Sequence, residues 1–173
     1  MKTITRFKIY LPSAAMILTA VLAISATAQQ EVPFKGTFHG NDTVTPPTLT
    51  QRITGTGTLV GQFSSIAFNT ISTSPATGTA RWIAANGDTI DTTLVGSLVH
   101  VDTAPCEVVG AQPEDTYSMV TQIHTITGGT GRFAGVQGSF ILTLYHDVVL
   151  GSDGTHGTCG SYSGTITPSG VTR

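Results

Sequence analysis

Glycine and proline interrupt the chain so often after residue 30 that no window is long enough for an amphipathic helix. The sequence holds 20 glycines and 8 prolines, and between them short runs rich in Val, Ile, Thr and Phe recur at the spacing of strands and turns. This pattern predicts an all-β chain. The predicted strands cover residues 33–39, 51–60, 63–72, 77–85, 89–100, 116–127, 138–150 and 161–167.

The dipeptide Asn86-Gly87 marks a tight turn between the fourth and fifth predicted strands. Asn-Gly is favoured in two-residue type I′ turns, in which both central residues have positive φ, so these strands should pair antiparallel. Eight strands joined without helical crossovers form antiparallel meanders, which usually close to hide their edges. We therefore expect an eight-stranded antiparallel β-barrel, with long polar connections at residues 41–49 and 103–115.

The seventh predicted strand is apolar on both faces. Phe140, Leu142 and Leu144 alternate with Ile141 and Tyr145, so one face should line the barrel and the other should be covered. A second copy of the chain, the N-terminal segment or a long loop could each supply that cover.

The first 28 residues have the features of a secretory signal peptide. The start is basic, an apolar run follows over residues 9–24, and Ala26-Thr27-Ala28 offers small residues to signal peptidase. We predict cleavage before Gln29, a secreted or periplasmic location, and one barrel domain over residues 29–173. The alternative is a retained membrane anchor, since the apolar run is close to the shortest length that spans a bilayer.

Charge and cysteine content narrow the class of protein further. After residue 28, five cations remain against ten acids, a formal charge of −5. Nucleic acids and anionic membranes are bound by clustered Lys and Arg, so we expect neither as a partner. Cys106 and Cys159 are predicted to form a disulfide, as an even pair does in an oxidising compartment. The alternative is two buried free thiols.

Residues 128–135 read GGTGRFAG and are the most distinctive stretch. They contain Gly129-x-Gly131-x-x-Ala134, the spacing of a dinucleotide-binding loop. That loop requires a following helix whose N-terminus faces the pyrophosphate, whereas Gly138 leads into a β-patterned run. We therefore expect no dinucleotide, and no other cofactor.

The same stretch closely resembles a turn found in the allene oxide cyclase-like and dirigent-like superfamily of eight-stranded antiparallel barrels. FKGTF at residues 34–38 and AANGD at residues 84–88 extend the resemblance to the exported bacterial branch of that superfamily, whose function is unknown. The three segments span most of the chain after residue 28 in the expected order.

The resemblance implies that Phe133 plugs one end of the barrel and that an apolar interior can hold a small hydrophobic molecule. Plant allene oxide cyclases isomerise a fatty-acid epoxide in such an interior, and dirigent proteins steer the coupling of phenoxy radicals. Neither active-site set matches this chain residue by residue, so neither activity is carried over.

Polar and aromatic side chains within the predicted strands are the candidates for lining the lumen, where a polar group must find a partner or act on a ligand. The alternative for the Trp is an ordinary core position. The candidates are Arg81, Trp82, Asp91, His124, Tyr145 and His146.

No catalytic residue and no metal ligand can be assigned from spacing. The five histidines lie in five different segments, and none shows H-x-x-x-H or C-x-x-C spacing. The densest polar group is His146-Asp147 with Asp153 and His156, which is either an acid–base or cation site or simply a strand that runs into a polar loop.

These observations favour an exported barrel that binds a small apolar molecule or serves as a structural module without turnover. The second hypothesis is an isomerase-, cyclase- or dirigent-like enzyme that acts on a hydrophobic substrate in the lumen. A lumen filled by side chains would eliminate every ligand-based hypothesis.

Overall fold

A computed structural model of the chain describes residues 30–112, 115–149 and 154–169. Within these ranges eight strands close into one barrel in sequence order, each antiparallel to its neighbours, which confirms the predicted architecture. The strands are β1 (Val32–Thr45), β2 (Thr48–Gly57), β3 (Gly61–Thr70), β4 (Ala76–Ala84), β5 (Thr89–Val101), β6 (Tyr117–Gly129), β7 (Gln137–Asp147) and β8 (His156–Thr167), with a single 3₁₀ turn at Gly131–Phe133.

The N-terminal predictions fall on residues that the structure leaves out. The signal peptide over residues 1–28 and its cleavage before Gln29 lie outside the described ranges, and so does the alternative of a retained anchor. Within those ranges, no helix has the length and apolar character needed to cross a membrane.

The strands alternate between an inward and an outward face, as the period of a β-strand requires. In β3 the side chains of Phe63, Ser65, Ala67 and Asn69 are buried, while the residues between them point outward. This alternation decides which side chains line the lumen, and it includes polar residues as well as apolar ones.

One end of the barrel is closed by the segment that carries the distinctive glycines. Phe133 is buried in the apolar core there, the position that the resemblance implied. Arg132 Nη2 donates a hydrogen bond to the carbonyl oxygen of Val60 at 3.0 Å, and the Arg132 backbone N–H donates to Asp88 Oδ2 at 3.2 Å. Gly131 has a φ of +57°, and a Cβ at this position would overlap the Asp88 carboxylate. The AANGD and GGTGRFAG segments therefore meet at this end.

The β4–β5 pairing is confirmed, but the predicted type I′ turn is wrong. Gly87 has a positive φ of 87°. Among the described non-glycine residues positive φ occurs at Leu59, so Asn86 does not have the positive φ that a type I′ turn requires. Instead, the Asn86 amide donates to Asp88 Oδ2 at 2.7 Å, and its carbonyl accepts from the Asp88 backbone N–H. These bonds stabilise a longer connection over residues 85–88.

The predicted loop at residues 41–49 is also wrong. β1 continues to Thr45 and β2 begins at Thr48, with Asp42 opposite Gln51 in the ladder and the turn at Pro46-Pro47. The polar composition of this segment suggested a loop, but Asp42 points into the lumen and finds a partner there, as described below. Polar residues at this end of the barrel therefore belong to strands.

The second long connection lies where it was predicted, between β5 and β6. Cys106 is joined to Cys159 of β8 by a disulfide with an S–S distance of 2.00 Å, which confirms that prediction. Val108 is buried, and the carbonyl of Val109 lies against Gly157 of β8. The loop thus covers the outer face of the barrel beside Cys159.

The disulfide places this loop beside the outer face of β7, because Cys159 lies opposite Tyr145 in the β7–β8 ladder. Tyr145 pairs with Cys159 and is partly buried, whereas Ile141 remains half exposed. Ile141 continues an outward row with Ile123 of β6 and Val95 of β5, both also half exposed. Cover of that row by a second copy of the chain stays a prediction.

Candidate functional site

Aromatic side chains fill the half of the lumen next to the closed end. Trp82, 1% exposed, makes edge contacts with Phe140 and Tyr162 at centroid distances of 5.2 Å and 5.0 Å, and Phe34 contacts the same two rings at 5.0 Å and 4.9 Å. Phe63 packs on Trp82 at 4.8 Å. Such a cluster contributes both buried apolar area and favourable ring geometry, and it forms the floor of the remaining space.

The other half of the lumen holds a cavity of about 350 Å³. It opens at the end where β1 meets β2 and β3 meets β4. A pocket of this size is within the range that small ligands occupy. Its walls combine apolar side chains, namely Leu49, Ile71, Leu94, Leu98, Val120 and Leu144, with five buried polar ones, namely Asp42, Gln51, Asn69, Gln122 and His146.

Two of the polar side chains that line the cavity have amide groups without hydrogen-bond partners. Gln51 and Asn69 are 2% and 3% exposed. Gln51 Nε2 and both Asn69 amide atoms have no hydrogen-bond partner within the described residues. A buried polar group in this state costs about 1–3 kcal/mol, and native proteins keep few of them. These amides are the strongest sign that the cavity is built to meet a ligand or water.

Asp42 and His146 form a pair on the wall of the same cavity. His146 Nδ1 lies 3.2 Å from Asp42 Oδ2, and the side chain of Asp42 is almost fully buried. Burial raises the pKa of Asp42 above its ordinary value, although the hydrogen bond and the charge of His146 act in the opposite direction. The Gln51 amide lies near the same carboxyl group without completing a hydrogen bond to it. With Nδ1 engaged by the carboxyl group, Nε2 is the imidazole nitrogen left to meet a ligand.

His124 lies between the aromatic floor and the cavity. Its Nε2 donates to Gln122 Oε1 at 3.2 Å, its Nδ1 accepts from the Thr92 hydroxyl at 2.9 Å, and its ring stacks on Phe140 at 4.8 Å. Burial lowers the pKa of His124 to about 3. The imidazole is therefore neutral at physiological pH, and it orients the Gln122 side chain that lines the cavity.

Of the six residues predicted to line the lumen, three point into it. His146 lines the cavity, His124 supports Gln122 beneath it, and Trp82 belongs to the filled half. The placement of Trp82 agrees with the alternative of an ordinary core position.

The lumen prediction is wrong for the other three residues. Arg81 and Asp91 pair across β4 and β5 on the outer surface, with Arg81 Nε 2.7 Å from Asp91 Oδ1. Tyr145 also points outward, beside the disulfide. Each of these residues is next to a buried residue on the same strand, and successive side chains of a strand point to opposite faces, so its own side chain points outward. An exposed ion pair such as Arg81–Asp91 contributes little to stability.

Four cavity residues were missed from the sequence: Asp42, Gln51, Asn69 and Gln122. Asp42 falls in a predicted loop, and the other three lie in predicted strands but were not among the lumen candidates. The strand period offers a way to find them. Asn69 is an even number of residues from Phe63 and Ala67, and Gln51 is two residues from Ile53, so each lies on the same face of its strand as those apolar residues. A polar side chain on the apolar face of a strand marks the lumen.

The described parts of the chain contain no group of three or more His, Cys, Asp or Glu side chains that could hold a metal ion. His146 and His156 approach each other, with ring centroids 5.8 Å apart, but His156 Nδ1 donates to the carbonyl oxygen of Asp147 at 2.9 Å. The polar side chains that line the cavity are therefore suited to hydrogen bonding and to proton transfer through the Asp42–His146 pair. Comparison of the chain with protein-family models, with curated proteins and with solved structures found no match.

Proposed function

We propose that this protein binds a small amphipathic molecule in the open half of its barrel. A neutral polar head group would lie against Gln51 and Asn69, and an apolar body would contact the side chains nearer the mouth. The observation that carries the proposal is the set of unpartnered amide atoms on the wall of an open cavity of about 350 Å³.

The polar wall is the reason for giving the ligand a head group. The sequence led us to expect an apolar molecule, and Leu49, Ile71 and Leu98 do offer apolar surface to one. A purely apolar ligand, however, would leave the amides of Gln51 and Asn69 buried and unpaired, which weakens binding. A ligand with its own donor and acceptor removes that cost.

The head group is expected to be neutral. An anion would enter beside the buried carboxyl group of Asp42, whose environment already disfavours negative charge. A cation would have to lose its hydration beside the buried carboxyl group and would have only Asp42 Oδ1 to pair with, since His146 already engages Oδ2. A primary amide, by contrast, offers one donor edge and one acceptor edge to Asn69, which can answer both.

The test uses four probes with the same eight-carbon chain: octanamide, 1-octanol, octanoate and octylamine. Isothermal titration calorimetry at pH 7 should give the lowest Kd for octanamide, with octanoate at least tenfold weaker. The variant Gln51→Leu should raise the octanamide Kd about tenfold, the loss of one hydrogen bond of about 1.4 kcal/mol. Gln62→Leu, on the exposed outer face of β3, is the matched control and should leave Kd unchanged.

The outcomes separate the alternatives. Retention of none of the four probes would contradict the proposal and favour a structural module. Tightest binding of octanoate or octylamine would contradict the neutral head group.

We also infer that the protein works outside the cytoplasm. The Cys106–Cys159 disulfide supports this, because such bonds persist in oxidising compartments. N-terminal sequencing of protein recovered from the periplasm or the medium should begin at Gln29. A chain that still begins at Met1 and remains in the cytoplasm would contradict the inference.

A further inference from the structure

We propose that Asp42 and His146 act together as a general base that removes a proton from a carbon atom of a molecule bound in the cavity. The inference deepens the proposed function and rests on it, since the substrate must first occupy the open half of the lumen. It assigns an activity to a pair of side chains that a purely binding role leaves without a task.

The geometry of the pair supports this role. His146 Nδ1 lies 3.2 Å from Asp42 Oδ2, and both side chains line the cavity. The carboxylate accepts the Nδ1–H bond and fixes the ring in the tautomer whose Nε2 carries a lone pair. An imidazole oriented by a buried carboxylate is a standard arrangement for general-base catalysis.

Each atom of the reaction has a destination. His146 Nε2 takes the proton as the C–H bond breaks, and the electron pair moves onto an electronegative atom of the substrate, such as a carbonyl oxygen. The imidazolium then returns the proton to another carbon of the same molecule. This requires a substrate in which the deprotonated carbon is joined to a carbon–carbon double bond; that double bond shifts by one position, so that the net change is an isomerisation. No oxidant, reductant or second substrate is required.

The unpartnered amides have a part in this step. Gln51 Nε2 and Asn69 Nδ2 are hydrogen-bond donors on the wall of the same cavity. Donors aimed at the atom that gains negative charge stabilise the transition state more than the ground state. The cavity therefore combines a base, whose imidazolium form balances the developing negative charge, with candidate donors for the anion.

The polar and titratable groups around Asp42 and His146 bear on how the rate of the proposed reaction depends on pH. Asp42 is approached by His146 from β7, His156 from β8 and Gln51 from β2. On the other side of His146, Ser118 of β6 is bonded to His100 at 3.2 Å. Base catalysis requires an ionised Asp42. Because burial raises the pKa of this carboxyl group, the rate should fall as the pH is lowered and Asp42 becomes protonated.

The experiment uses 5-nitrobenzisoxazole, a generic probe for a positioned base. Removal of its ring C–H proton breaks the N–O bond and gives a coloured cyano-nitrophenolate, which absorbance follows directly. The wild-type protein should accelerate this reaction on the order of 100-fold over buffer. His146→Gln should remove the acceleration, because no imidazole remains.

Asp42→Asn tests the positioning role of the carboxyl group. The substitution preserves shape but not charge, so kcat should fall at least tenfold and the pH–rate profile should shift, while KM changes little. His39→Gln, at an exposed position on the outer face of β1, should leave the rate and the profile unchanged. Far-ultraviolet circular dichroism of each variant checks that the barrel is intact.

Equilibrium dialysis with the probe separates the two proposals. Probe retained by the wild-type protein but converted no faster than by folded His146→Gln would overturn the general-base proposal and leave the binding proposal standing. Failure of the wild-type protein to retain this probe, together with failure to bind octanamide, would contradict both.

Discussion

His146 Nδ1 and Asp42 Oδ2 lie 3.2 Å apart although their residues are 104 positions apart in the chain. The side chains belong to β7 and β1, which are both neighbours of β8 in the closed barrel, so the bond spans β8 inside the lumen. Closure of the barrel is what brings the two together. The Asp42–His146 contact therefore forms only when β1 pairs with β8 and closes the barrel.

Asp42→Asn should stabilise the folded protein at neutral pH. Burial raises the pKa of Asp42 in the folded state, so the folded state favours the protonated carboxyl group and its ionisation at higher pH costs stability. The variant removes that cost. Its advantage should shrink as the pH falls through the raised pKa, where the wild-type carboxyl group becomes neutral as well.

Urea unfolding at pH 7.5 and pH 4 measures this difference. A lower midpoint for Asp42→Asn than for the wild type at pH 7.5 would show that the pair with His146 stabilises the fold more than burial of the carboxylate destabilises it.

Asn69→Leu should have opposite effects on stability and on binding. The substitution removes two buried polar atoms that have no partner, so the free energy of unfolding should rise by about 1 kcal/mol. The octanamide Kd should rise about tenfold, because the same atoms are proposed to meet the head group. Urea unfolding and calorimetry on one preparation measure both.

A purely structural role for Asn69 predicts a different result. If the amide stabilised the fold, Asn69→Leu would lower the unfolding free energy and change ligand affinity only through misfolding. Equal octanamide Kd values for a stable Asn69→Leu and the wild type would remove this residue from the site.

The sequence predicted the barrel because local signals agreed along its whole length. Strands, turns and the absence of a helical period depend on neighbouring residues, and the β4–β5 hairpin at Asn86-Gly87 is the clearest case. The orientation of a strand was harder to predict. Arg81 and Trp82 are adjacent, yet one lies on the surface and the other in the core, and parity alone does not say which face is buried when both contain apolar residues.

The cavity depended on contacts that no local pattern records. Asp42 was placed in a loop because its neighbours are polar, and its buried position is explained only by His146 across the barrel. The half-filled lumen likewise depends on where large rings fall on different strands, as Trp82 and Phe140 do. Sequence periodicity gives the face of a side chain, but not the layer of the barrel in which it lies.

His124→Gln should flatten the dependence of stability on acid pH. The folded-state pKa of His124 is about 3, against an ordinary value of 6.5. The stabilising contribution is therefore fully present above pH 6.5 and is lost as the pH falls towards 3, at a slope of about 1.4 kcal/mol per pH unit. Gln can keep both hydrogen bonds but does not titrate.

Urea unfolding between pH 7 and pH 4 tests this prediction. The His124→Gln variant should be less stable than the wild type at pH 7, because it loses the ring contact with Phe140, and the two curves should converge at low pH. His39→Gln is the control and should follow the wild type. Parallel curves for His124→Gln and the wild type would mean that the imidazole binds a proton as readily in the folded protein as in the unfolded chain.

Gly131→Ala should destabilise the closed end of the barrel by about 1–3 kcal/mol. Two effects combine there: the φ of +57° disfavours any side chain, and a Cβ would overlap the Asp88 carboxylate that binds the Arg132 backbone N–H. Gly61→Ala isolates the first effect, since Gly61 has a similar φ of +68° and a Cβ added there would meet no atom within 4 Å. The difference in unfolding free energy between the two variants is the contribution of Asp88. Equal losses would mean that the carboxylate moves aside freely, and that the contact between the AANGD and GGTGRFAG segments does not hold this end closed.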